Sequence, residues 1–123
     1  MPAMVTLDRE RGIRITTATG PTSVADFLAV YRTIVADPNL AATTRSLIDL
    51  RQASLAGITR GDVLRAVELP KLPRQAETRM AIVVTTPLTH GLSRMYAILQ
   101  NGRRHGEVEV FKALDDAMAW LVQ

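Results

Sequence analysis

The chain has 123 residues and no cysteine, so it is the size of one domain, and disulfides and thiolate-bound metals are excluded. Apolar residues make up 47%, charged residues 22%, and the net charge is +3, a balance that excludes a disordered or strongly charged tail. The longest apolar runs, residues 80–84 and 117–122, are far shorter than the ~20 residues that span a bilayer. The N-terminus meets charge at Asp8 before any signal-peptide core. A cytoplasmic protein without a membrane span is expected.

Residues 4–8 and 13–18 both alternate apolar and polar side chains, with Gly12 suited to the turn between them. They read as a half-buried β-hairpin. Gly20-Pro21 is expected to stop the second strand, and Ser23 to cap a helix. Over residues 24–37, Val24, Phe27, Leu28, Tyr31, Ile34 and Val35 form one stripe at helical spacing. Pro38 and Asn39 end it.

Residues 46–50 read as a third strand and residues 54–58 as a loop. Thr59 heads a second helix, with Asp62 three residues on as a capping-box variant, and Val63, Leu64 and Val67 facing inward. Pro70 and Pro73 bracket the next loop. The run from Met80 is a strand covered on both faces. Thr86 caps a third helix with Pro87 at its first position. Leu88, Leu92, Met95, Tyr96 and Leu99 are its expected buried stripe, and Asn101-Gly102 its end. Residues 107–111 alternate as a last strand. Leu114, Met118, Leu121 and Val122 mark a final helix whose first turn holds Asp115 and Asp116.

Strands separated by helices pair in parallel through right-handed crossovers. The expected fold is therefore α/β: a mixed sheet of about five strands, opened by an antiparallel hairpin, with four helices. The whole chain forms one domain.

Several stretches in this order resemble the bacterial SpoIIAA-like family. They are Tyr31-Arg32 with Asp37-Pro38, Leu47 to Arg51, His90 to Tyr96, and Val110-Phe111-Lys112 followed by Ala117 to Leu121. The resemblance runs over nearly the whole chain. It implies a stand-alone relative of the STAS domain, related in fold to CRAL-TRIO lipid-transfer domains. Anti-sigma factor antagonists of this kind carry a phosphorylatable serine in an Asp-Ser-Ser-Gly setting. Here the corresponding stretch is Leu55 to Arg60, and only Thr59 stands near that place as a weak phosphorylation candidate.

In open α/β sheets, ligands favour the edge where parallel strands end and helices begin. One such junction holds Arg51, Gln52, Ser54 and Thr59; the other holds Thr85, Thr86, His90, Ser93 and Arg94. Helix N-termini and the cationic side chains of Arg51, His90 and Arg94 suit a small anion, a carboxylate or a lipid headgroup. Arg51, Thr59, Thr86, His90 and Arg94 are thus the ligand- or partner-binding candidates. Each also has a plain structural reading. Thr59 and Thr86 are helix caps, Arg51 pairs with Asp49, and His90 is a solvated first-turn residue.

His90 and His105 have no metal-ligand spacing, and neither a nucleophile elbow nor a glycine-rich phosphate loop occurs. Asp49 is the only suggestively placed carboxylate. No catalytic constellation, metal or cofactor is expected. The scattered arginines lack interleaved aromatics, which argues against nucleic acid. Arg103-Arg104-His105 reads as a basic turn. Trp120, off its helix stripe, belongs to the core edge or to a homodimer contact.

The leading expectation is a non-enzymatic regulatory module that binds a protein partner. The second, from the CRAL-TRIO likeness, is a domain for a small anionic or lipid ligand, which requires an apolar cavity between helices and sheet. An enzyme of unknown reaction is the weaker third.

Overall fold

The computed structural model describes residues 3–69, 78–101 and 106–123. Pro70, Pro73, Gly102 and the Arg103-Arg104-His105 turn fall outside them. Five strands run Ala3–Asp8 (β1), Ile13–Pro21 (β2), Arg45–Ser54 (β3), Thr78–Val83 (β4) and Gly106–Phe111 (β5). Helices span Val24–Ala36 (α1), Pro38–Ala41 (α2), Arg60–Val67 (α3), Pro87–Asn101 (α4) and Leu114–Leu121 (α5). The strands lie side by side in chain order, β1 antiparallel to β2 and every later pair parallel. The expected mixed sheet with an opening hairpin is what the chain forms.

Several boundaries differ from the sequence reading, among them β4, which runs Thr78–Val83. β2 does not stop before Gly20. It continues past a bulge between Thr17 and Thr19, and Thr19, Gly20 and Pro21 pair with Gln52, Ala53 and Ser54. The mutual ladder extends β2 and β3 together, while Gly20 takes the left-handed conformation (φ 68°) open to glycine. Pro38 does end α1, but it also begins a further helix. Asp37 Oδ1 accepts from Asn39 N at 2.9 Å and Leu40 N at 3.4 Å, and proline sits at the first position. The described residues therefore hold five helices rather than four.

The sheet is covered on both faces. On one, Ala18, Leu50, Ile82, Val84 and Val108 pack against Val30 and Ile34 of α1, Val63 of α3, and Leu92 and Ala97 of α4. On the other, Ile13, Leu47, Ala81 and Val83 pack against Ala117 and Leu121 of α5. This alternation along β4 explains its uninterrupted apolar sequence. Trp120 lies at the rim of the α5 core. Its ring stands 5.6 Å from Phe111, the Arg79 guanidinium lies 5.3 Å from its centroid, and Arg79 Nη1 donates to its carbonyl at 2.8 Å.

The inward stripes are rotated from those expected. Val35, Leu64 and Leu88 are about half exposed. α4 instead buries Thr89, Leu92, Ser93, Ala97 and Gln100. Three of these five are polar, so a stripe drawn through the leucines misses them.

Candidate functional site

At the C-terminal ends of β3 and β4 the two predicted junctions meet. Thr85 Oγ1 donates to the Arg51 carbonyl at 2.9 Å, joining them directly. The polar groups there are already paired with one another. Arg51 clasps Asp49 with two bonds, Nε to Oδ1 at 3.0 Å and Nη2 to Oδ2 at 2.8 Å. These hold the Asp49 carboxyl below the usual carboxylate range against the opposing effect of burial, and raise Arg51 in turn.

Thr59 caps α3: its hydroxyl accepts from Asp62 N at 3.1 Å, and its own N–H donates to Asp62 Oδ2 at 2.9 Å. That backbone bond, first among several, lowers the Asp62 carboxyl, which also pairs with Arg65. Thr86 caps α4 by accepting from Thr89 N at 3.2 Å and donating to Thr89 Oγ1 at 2.8 Å. His90 is half-buried one turn before Arg94, which is exposed. The hydroxyls of Thr59 and Thr86 and the side chain of Arg51 thus have local partners. None of the five predicted residues lines the cavity beneath α1, α3 and α4.

That cavity lies elsewhere, between the sheet and helices α1, α3 and α4. Its volume is about 270 Å³. For scale, an engineered cavity of ~150 Å³ takes up benzene. Phe27, Val30 and Tyr31 of α1 form one wall, Val63 and Ala66 of α3 another, and Leu92, Ser93 and Tyr96 of α4 a third. The sheet supplies the floor in register rows. Arg14, Ser46 and Met80 are aligned neighbours on β2, β3 and β4, and Thr16, Ile48 and Ile82 are the next row. Leu50, Leu55 and Ile58 close the far end.

The two ends of this cavity differ in chemistry. Toward the strand C-termini the lining is mostly apolar, with Asp62 in the first turn of α3 as a polar member. Toward the strand N-termini it carries Arg14 and Ser46, each 6% exposed, and Gln100 in the last turn of α4. Arg14 Nη1 donates to the Leu40 carbonyl at 2.8 Å and the Thr43 carbonyl at 3.3 Å. The short helix α2 therefore holds this arginine against the cavity floor. Gln100 Nε2 donates to the Tyr96 hydroxyl at 2.9 Å.

A solved structure with the same architecture is that of an uncharacterised DUF3478-family protein from Shewanella loihica PV-4, described as having a SpoIIAA-like fold. The two chains are 20% identical and superpose with a TM-score of 0.58, over 97% of this chain and 93% of that one. The fold is SpoIIAA-like. No protein-family model and no curated protein sequence matches the chain.

Within this SpoIIAA-like fold, the sequence reasoning named Ser93 as a junction residue and Tyr31 as part of the α1 stripe, but not Arg14, Thr16, Ser46 or Gln100 as site residues. Arg14 and Thr16 fall on the polar side of the β2 alternation, which reads as solvent-facing and is instead buried under the helices. Among the described residues, no group of three or more His, Asp or Glu side chains is placed to hold a metal ion. Among the same residues, no helix is long and apolar enough to cross a membrane.

Proposed function

We propose that this chain is a binding protein for a small amphipathic molecule, held between the sheet and helices α1, α3 and α4. The observation that carries this is the 270 Å³ cavity with mostly apolar walls and buried polar side chains, Arg14, Ser46 and Gln100, at one end. The pocket is partly open to solvent, so a small molecule has a way in. A few convergent polar groups in an apolar pocket are what fix the orientation of a bound small molecule.

The sequence alone put docking to a protein partner first. The cavity shifts the weight to the ligand reading, because a docking module has no use for a void beneath its helices. The volume suits a molecule larger than one benzene ring, such as a medium-length chain or a fused ring. In this reading the chain carries or senses its ligand and needs no catalytic group or cofactor.

Native mass spectrometry of the gently purified protein, followed by calorimetric titration with 1-octanol, tests this. A small adduct lost on denaturation, or saturable octanol binding that Ala66→Phe abolishes without unfolding the domain, is the expected result. An adduct-free mass with no octanol binding would overturn it.

A further inference from the structure

Gln100 is 8% exposed and lines the cavity from α4. Its Nε2 is committed to the Tyr96 hydroxyl, which orients the amide. Its Oε1 is buried and has no hydrogen-bond partner. A buried acceptor without a donor carries a desolvation cost, so native proteins hold few of them and each calls for a reason.

Its neighbours show which end of the cavity it serves. Asn101, the next residue, accepts from Val108 N at 2.8 Å and donates to Val108 O at 3.1 Å. Val108 stands in the same register row as Arg14, Ser46 and Met80. Gln100 thus stands at the strand N-terminal end of the cavity, the end whose floor also carries Arg14 on β2 and Ser46 on β3.

Resting on the ligand-binding reading above, we propose that this end recognises a hydroxyl group. The ligand's O–H donates to Gln100 Oε1, the buried acceptor without a partner among the described residues. An ionised carboxylate or phosphate offers acceptors only and would leave Oε1 unpaired. The ligand class is an apolar alcohol or phenol, its tail toward Leu50 and Leu55.

Calorimetry with three probes of one tail length tests this: 1-octanol, methyl octyl ether and octanoate. The alcohol is expected to bind about ten-fold or more tighter than the ether, since a site built around a hydroxyl rejects an analogue that leaves its acceptor unpaired. Gln100→Met should bring alcohol and ether within about two-fold of each other, mainly by weakening the alcohol. Equal binding of alcohol and ether to the wild type would mean that solvent satisfies Gln100, and would overturn the hydroxyl while leaving the cavity reading intact. Tightest binding of octanoate would overturn it in favour of an anion. Failure of all three probes would instead overturn the ligand-binding reading itself.

Discussion

Asp49 and Arg51 stand two residues apart within β3, and their two-pronged contact gives the suggestive carboxylate a partner on its own strand. The bonds from Arg51 depress the Asp49 carboxyl in the folded state. A depressed acid stabilises the fold above its unfolded pKa of ~3.9, and that contribution is lost as pH falls through the folded value. The pair is part-exposed, so it is worth about 0.2–1 kcal/mol at neutral pH. Asp49→Asn should cost about that much near pH 7 and then lose less stability than the wild type on acidification to about pH 2. Urea denaturation curves at a series of pH values would show this; parallel losses in the two proteins would refute it. The pairing of Arg51 with Asp49 and the capping by Thr59 were legible because both depend on partners two or three residues away. The Arg14 bond to Leu40, 26 residues distant, was not, because nothing local in the sequence encodes it.

At the scale of elements, α4 shows what hydropathy patterns capture and what they miss. Its start at Thr86-Pro87 follows from local chemistry, and the structure has the expected cap. Its inward face does not follow from the leucines. Thr89, Ser93 and Gln100 are buried while Leu88 is 51% exposed. Thr89 is held by its bonds with Thr86, and Ser93 and Gln100 border the cavity, where a hydroxyl and an amide are admitted. Leu88→Ala should therefore change stability by no more than about 0.5 kcal/mol. Leu92→Ala, removing a side chain 9% exposed, should cost about 2 kcal/mol or more. Equal effects in chemical denaturation would place the stripe where the leucine periodicity puts it, and the cavity-facing assignment of Ser93 and Gln100 would fall with it.

For the whole molecule, the mixed sheet with an opening hairpin and parallel crossovers was legible because strands alternate with helices after the hairpin; the order of the strands across the sheet was not. Which helix covers which face was not legible either, and neither was the cavity. A void depends on how far three helices stand from the sheet, and each apolar stripe reads alike whether it meets a packed core or open space. The two faces of the sheet now make opposite demands on an added side chain. Ala117 of α5 is wholly buried against Ala81 and Val83 on the opposite face from the cavity, whereas Ala66 of α3 lines it. Ala117→Leu forces extra methyl groups into a filled core and should cost about 1–3 kcal/mol. Ala66→Leu projects the same groups into existing space and should leave stability within about 1 kcal/mol of the wild type, or raise it. Urea unfolding of both variants without ligand decides the matter: if Ala66→Leu is as costly as Ala117→Leu, the space between the helices and the sheet is already full in solution, and the binding reading loses its site.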